Sequence, residues 1–278
     1  MTVIVTVASL SLLQEDTMTA ATAAPLPQTC YPAVWLWPGH VVYAGPALNL
    51  EPHSGSVWCL VVGADEPLTV TAGGHQVVAR SVLVPPRLVH HLDTHGGRLV
   101  SCYLDPSSGR ASACRDQCEL AAAGLMTGHP HEAALTALPT DDDSARRWLD
   151  LAAPAPRARS DPRVAEAVRR IAADPAGAPP SRRLAAEVGL SESRFLHLFR
   201  QESGTSLRRY RLWMRLMRAG AAVSSGAKLT DAAADAGFAS PSHLADRFKS
   251  TFGLTATDLI SSGAVLRTMG DRPRSPGE

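Results

Sequence analysis

Ala185-Ala186-Glu187-Val188-Gly189-Leu190 is followed by Phe195, by Phe199-Arg200 and by Ser203-Gly204-Thr205. The same order returns as Ala233-Ala234-Asp235-Ala236-Gly237-Phe238, Leu244, Phe248-Lys249 and Phe252-Gly253-Leu254. The turn glycines lie 48 residues apart and the closing glycines 49, so the second turn is one residue longer. In each copy alanines let a short helix pack closely. A glycine then permits a tight turn at positive φ, an apolar residue plugs the corner, and a second helix carries aromatics inward and polar residues outward. One such match is common in helical hairpins; two in tandem specify a pair of helix-turn-helix units.

The flanking sequence extends the helical reading. Asp161 caps a helix with Pro162 at its first position and Val164, Val168 and Ile171 on one face. Further helices are expected at about 182–188 and 192–202, the latter stopped by Gly204. Ser206 caps a long linking helix to about Val223 that buries Leu207, Tyr210, Met214 and Met217. Thr230-Asp231 and Pro241 open the last two helices, which stop at Gly237 and Gly253.

The charge distribution separates the chain into two parts. Over 278 residues the formal net charge is only +1. Residues 1–160 hold 9 Lys+Arg against 14 Asp+Glu, and residues 161–278 hold 18 against 12. A basic back half behind an acidic front half suits a nucleic-acid module joined to a domain with another partner. Only Lys228 and Lys249 are lysines, so arginine, the better bidentate phosphate ligand, supplies nearly all the cations.

The front half reads as β structure. Short apolar runs (Val57–Val62, Leu68–Val70, Gln76–Val78, Ser81–Val84, Leu99–Leu104) are broken by Gly63-Ala64-Asp65, Gly73-Gly74, Pro85-Pro86 and Gly96-Gly97. Strands this short and evenly spaced indicate an antiparallel barrel or sandwich. The fold class expected is therefore multidomain α+β, an N-terminal barrel followed by an all-α double helix-turn-helix domain. The expected boundaries are a disordered extension over 1–30, a sensor barrel over 31–106 and a helical dimerisation or connecting segment over 107–152. A linker over 153–160, a DNA-binding domain over 161–262 and a disordered tail over 263–278 complete the chain. Asp141-Asp142-Asp143 reads as a helix N-terminus favoured by the macrodipole. Five cysteines, an odd number, read as mostly reduced thiols of a cytoplasmic protein, with Cys114 and Cys118 one helical turn apart. The apolar run near the start lacks a preceding cation and is too short to span a bilayer, so no membrane segment is expected. The hydrolase, P-loop, zincin and dinucleotide-binding motifs are all missing, and no catalytic residue and no cofactor is assigned.

From Asp161 to Ile260 the chain resembles the AraC/XylS-type transcriptional regulators. The resemblance rests on Ala186–Ser191, Phe199–Gly204, Ala234–Ser240 and Phe248–Thr255, with Ala256 and Leu259 departing from the usual proline and tyrosine. It implies two recognition helices reading successive major grooves of double-stranded DNA, ~34 Å apart. Ser193, Leu196 and His197 in the first helix, and Ser242, His243 and Asp246 in the second, are the expected base-reading residues. Arg194, Arg200, Arg247 and Lys249 are the expected phosphate ligands. Leu196 suits a thymine methyl and Asp246 the cytosine amino group. The resemblance also implies a cupin-like front barrel, with Trp35, Trp37, Tyr43 and Trp58 as candidates for an effector pocket. RNA polymerase, a small-molecule effector and a second copy of the chain are the other expected partners. His53, His90 and His91 are the only histidines placed like cupin ligands, and the paired first histidine is missing, so no metal is assigned. The competing reading is a metal-dependent cupin enzyme with a helical appendage.

Overall fold

The fold is that of a computed structural model, which describes residues 32–155 and 161–270. The front half is built on eleven strands, counting one contributed by the far end of the chain. They are β1 (Ala33–Trp37), β2 (His40–Pro46), β3 (Trp58–Gly63), β4 (Leu68–Ala72), β5 (His75–Ala79), β6 (Ser81–Val84), β7 (His90–Asp93), β8 (Arg98–Leu104), β9 (Glu119–Leu120), β10 (Met126–Thr127) and β11 (Val265–Thr268). A large sheet runs β11-β1-β2-β8-β3-β6-β10-β9 and a small one runs β5-β4-β7.

Period-two alternation explains how the large sheet is covered on both faces. Val34, Leu36, Val41, Cys59, Val61 and Tyr103 point inward to meet Leu68, Val70 and Leu92 of the small sheet. The intervening Trp35, Trp37, Val42, Leu60, Val62 and Cys102 point the other way, into a second core. That outer core is closed by α1 (Arg110–Arg115), α2 (Glu132–Leu135) and α3 (Asp142–Ala152). Asp141 caps α3 with a reciprocal box to Ser144, as the acidic run suggested. Ala145, Trp148, Leu149 and Ala152, the whole apolar stripe of α3, are buried there. The 107–152 segment, expected to serve dimerisation or connection, packs its apolar stripe onto the barrel. It also contributes the two short strands β9 and β10.

The back half comprises α4 (Pro162–Ala173), α5 (Ser181–Glu187), α6 (Glu192–Ser203), α7 (Leu207–Ser224), α8 (Leu229–Asp235), α9 (Pro241–Phe252) and α10 (Ala256–Ser261). Asp161, Ser191, Ser206, Ser240 and Thr255 each cap the helix that follows them through a side-chain oxygen. The tail expected over 263–278 is corrected in its first part. Val265–Thr268 pairs in parallel with β1, Ala33 opposite Val265, and Met269 is buried in the outer barrel core. Arg267 and the Trp35 indole both donate to Asp142 Oδ1, at 3.3 and 3.1 Å, so this strand joins β1 to the start of α3. The expected extension over 1–30, most of the linker and residues 271–278 lie outside the described residues. Cys59, Cys102, Cys114 and Cys118 are free thiols.

Candidate nucleic-acid interface

The two repeats fold as two helix–turn–helix units, α5–α6 and α8–α9. Their turn glycines take the left-handed conformation that the tight corner requires, φ 70° at Gly189 and 78° at Gly237. At Gly237 space matters as well, because a Cβ there would sit 2.8 Å from Ala176 Cα. Phe195 and Phe199 are fully buried in the first unit, with Phe199 and Tyr210 rings 5.5 Å apart. Leu244 is buried in the second unit, and Phe248 and Phe252 pack ring on ring at 4.6 Å. The linking helix α7 buries Leu207, Tyr210, Met214 and Met217, and also Trp213 and Leu216, which the sequence reading missed.

The outward faces of α6 and α9 carry the expected readers. Ser193, His197, Ser242 and Asp246 are exposed, Leu196 is exposed at 38%, and His243 is half-buried beside Phe238. Leu196, His243 and Arg247 converge on one groove of about 1,020 Å³ that runs between the units over α7. Ser193, His197, Ser242 and Asp246 lie outside it. Six arginines line this groove and no carboxylate does. Arg194 and Arg200 are exposed on α6 and have no acidic partner among the described residues. Lys249 differs, because its ammonium pairs with Glu51 of the barrel at 2.9 Å.

A family profile described as a helix-turn-helix domain matches residues 184–261. These residues form an AraC-type helix-turn-helix domain. The chain is accordingly a DNA-binding transcription regulator. Among solved structures the chain is similar to ToxT from Vibrio cholerae, at 12% identity over 84% of this chain and 95% of that one, with a TM-score of 0.48. It is similar to an AraC-type DNA-binding regulator from Chromobacterium violaceum, at 25% identity over 36% of this chain and 92% of that one, with a TM-score of 0.34. The DNA-binding domain of AdpA in complex with a target DNA matches at 23% identity over 37% of this chain and 92% of that one, with a TM-score of 0.33. No curated protein sequence matches the chain.

The AraC-type domain is joined to the barrel by a dense set of contacts. The Trp213 indole donates to Gly39 O at 2.9 Å, and its ring stacks on Tyr103 of β8 at 5.9 Å. Tyr103 also meets the edge of Phe252 at 5.1 Å. The loop between β2 and β3 lies against the ends of both recognition helices. Glu51 N–H donates to Gly253 O at 2.8 Å, Ser54 N–H to Ser250 O at 3.2 Å, and the Thr205 hydroxyl to Ser56 O at 3.1 Å. Gly253 takes φ 78° and leaves no room for a side chain, since a Cβ would meet His53 Nδ1 at 2.6 Å.

Between the two bodies lies a cavity of about 120 Å³. Its barrel wall includes Val34, Leu36, Tyr43 and Val61, and its helical wall includes Leu216, Met217, Phe248 and Phe252. Of the four aromatic residues expected to line an effector pocket, only Tyr43 does so, and its hydroxyl donates to Pro46 O at 2.6 Å. Trp35 and Trp37 belong to the outer barrel core, because alternation along β1 turns them away from the cavity. Trp58 sits under the Arg115 guanidinium, 5.4 Å from its ring centre, and beside Gly204. The sequence reading missed the apolar residues that make this pocket, since seven of its 22 lining residues come from the other domain.

His53 and His90 border the cavity with ring centres 4.3 Å apart. Burial, followed by the neighbouring His90 charge, lowers the His53 pKa to about 4, and burial lowers that of His90. His91 points to the opposite face of β7 and is exposed. Among the described residues no three His, Cys, Asp or Glu side chains are grouped to hold a metal ion, and no helix is long and apolar enough to cross a membrane.

Proposed function

We propose that the protein reads two successive major grooves of an operator with α6 and α9, and that an apolar occupant of the interdomain cavity governs how α9 is presented. One observation supports the first part above the rest. Both recognition helices contribute to a single arginine-lined groove without a carboxylate, with exposed Leu196 from one and exposed Arg247 beside half-buried His243 from the other. Ser193, Leu196, His197, Ser242, His243 and Asp246 read base edges in this account. Arg194, Arg200, Arg247 and Lys249 take phosphates, which fix register without carrying sequence information.

The regulatory part rests on which helices wall the cavity. Phe248 and Phe252 of α9 do, and no residue of α5 or α6 does. A dry apolar cavity of ~150 Å³ accepts a benzene-sized guest, so the void of about 120 Å³ suits a small apolar group. A larger effector has to part α9 from the barrel. Its differential affinity for the joined and parted arrangements then sets the population bound to DNA. Once on the operator, in the cytoplasm, the protein acts through RNA polymerase, by recruiting it or by excluding it. A second copy of the chain is the remaining partner in this reading.

The test is selection of random duplexes by the full-length protein at two salt concentrations. The expected result is a motif of two boxes about one helical turn apart, with affinity falling steeply as salt rises. A single box, or none above background, overturns the tandem reading.

A further inference from the structure

The arginine-lined groove has a wall that the helix-turn-helix domain does not supply. Its floor is α7, where Arg208, Arg211 and Arg215 follow at spacings of three and four on one helical face. Its sides are α6 and α9. Its end is closed by the barrel, through Ser54, Ser56 and Arg87. We propose that this groove is a composite seat for one stretch of DNA sugar-phosphate backbone, and that Arg87 of the barrel is one of its phosphate ligands. The inference rests on the reading of the chain as a duplex-binding regulator and adds that the front domain touches the operator directly.

Among the described residues, several arginines outside the groove are paired with carboxylates. Arg98, Arg110, Arg163, Arg170, Arg183 and Arg267 each have a carboxylate partner. None of the six groove arginines has one among the described residues, and no carboxylate lines the groove to provide it. Three of them are tied down by backbone carbonyls instead. Arg209 donates to Gly55 O at 3.3 Å, Arg211 to Pro179 O, and Arg215 to Pro175 O at 3.1 Å. The guanidiniums of Arg87, Arg208 and Arg247 have no hydrogen-bond or ion-pair partner among the described residues and are exposed. Burial, then the charges of Arg87 and Arg208, lower the pKa of Arg209. These cations therefore repel one another in the free protein, and a phosphate placed among them relieves that repulsion.

The backbone at Arg87 supports the same assignment. Pro85-Pro86-Arg87-Leu88 closes as a turn, Leu88 N–H to Pro85 O at 3.4 Å, with Arg87 in the third position at φ 74°. With proline second, that left-handed third position favours glycine or asparagine. An arginine there is strained, and among the described residues no side-chain hydrogen bond or ion pair offsets the strain. The turn is nonetheless held firmly against the DNA-binding domain. Arg87 N–H donates to Gly55 O at 3.0 Å, and the same carbonyl accepts from Arg209. The strained residue is thus fixed at the mouth of the groove with its charge unpaired.

The experiment measures the affinity of the full-length protein for a random-sequence 30-base-pair duplex across a salt series. Arg87→Gly relieves the strained turn and removes the charge. Its expected effect is a salt slope shallower by about 0.9, with affinity weakened about eightfold at 0.1 M salt on every sequence. Its melting temperature stays level or rises, which separates a lost contact from a lost fold. Arg247→Gln, in the helix-turn-helix domain, should lower the slope similarly. Arg98→Gln, a barrel arginine outside the groove and paired with Asp65, should leave it unchanged. A wild-type slope for Arg87→Gly beside a reduced slope for Arg247→Gln overturns the composite groove and leaves the regulator standing. An equal loss in Arg98→Gln overturns it too, since the effect is then one of net charge. If the unmodified protein shows no salt-dependent duplex binding, the parent reading fails and this inference falls with it.

Discussion

The two helix-turn-helix units are built on one plan but lean on different neighbours. The first, α5–α6, is backed by α4 of its own domain. Arg170 of α4 reaches Glu187 of α5 at 2.9 Å, and Ile171 is fully buried. Two fully buried phenylalanines make its core. The second unit is backed by the linking helix α7 behind α8 and touched by α10 beside α9. Its aromatic pair, Phe248 and Phe252, faces the barrel across the cavity, and its closing glycine is bonded to the barrel loop at Glu51. The barrel thus does for α9 what α4 does for α6. A change in the barrel reaches the second recognition helix before the first, and the asymmetry predicts that control is exerted on one half-site.

The largest expected effect comes from breaking that joint. Trp213 is fully buried and holds α7 to the β1–β2 turn and to β8 through its indole and its ring. Trp213→Ala should lower stability by roughly 3–5 kcal/mol, the range for large aromatics removed from a core. Native-state amide exchange gives the sharper readout. Exchange in α8 and α9 should speed up well beyond that in α5 and α6. Equal acceleration in both units would dissolve the contrast drawn above.

How much of this was legible in the sequence follows from the range of the interactions. The repeat, the caps at Asp161, Ser191 and Ser206, and the positive φ at Gly189 and Gly237 are local, and each has a residue-level cause. The same holds for β3, β4, β5, β6 and β8, whose alternation and turn residues place them within a residue or two. The features that create the asymmetry are non-local. Val265-Leu266-Arg267-Thr268 is too short to announce a strand, and its partner β1 lies more than 200 residues earlier. Trp213, Leu216 and Gly220 mark a second stripe on α7, but the first stripe already satisfied the helical pattern. The tryptophans of β1 and β3 looked like pocket residues because aromaticity is visible in a sequence and sheet facing is not. Arg87 follows the Pro85-Pro86 break, and nothing local in the sequence marks its place beside α7 and α9.

A buried carboxyl near the joint gives the next effect. Asp105 packs against Gly39, whose carbonyl receives the Trp213 indole. Burial raises its pKa to about 6, partly offset by hydrogen bonds from the Ser107 hydroxyl and N–H. A folded-state pKa above the unfolded value means the native protein binds the proton more tightly. Asp105 therefore favours folding below pH 4, and this advantage is lost as pH rises through 6. His53 and His40 have the opposite sign. Their pKa values fall to about 4 and about 3, so their stabilisation is complete above pH 6.5 and is lost on acidification. Asp105→Asn keeps the acceptor for Ser107 and removes the ionisation. It should raise stability at pH 7–8, on the order of 2–3 kcal/mol, and change little near pH 4. A uniform shift at all pH values would show that the carboxyl does not titrate in this window.

The reading positions test the comparison from the DNA side. His197→Ala should relax base preference in one box only, and Asp246→Ala in the other, each by about 1–3 kcal/mol of discrimination. Arg200→Ala should weaken binding to all sequences alike. Loss of preference in both boxes from either reader would mean that the units are not read separately. Occupying the cavity adds a second axis. Under a benzene-sized apolar guest, the box assigned to Asp246 should change in affinity while the box assigned to His197 holds steady.

The smallest effect lies at the surface, where the two units differ by one ion pair. Lys249 of α9 is held by Glu51 of the barrel at 2.9 Å, while Arg200 of α6 has no acidic partner among the described residues. Both side chains of the pair are well exposed, so the pair itself contributes at most about 1 kcal/mol to stability. Its influence on binding should exceed that on folding, because Glu51 holds a cation proposed to take a phosphate and adds a negative charge beside it. Glu51→Gln removes both effects and keeps the backbone N–H that bonds Gly253. Duplex affinity should therefore rise a few-fold, with a steeper salt dependence, while the melting temperature barely moves. Because the barrel touches α9 through this pair and α6 has no counterpart, the gain should be confined to the half-site under the second unit. Footprinting at limiting protein resolves the two halves, and a gain spread equally over both would place the barrel's electrostatic influence on the domain as a whole.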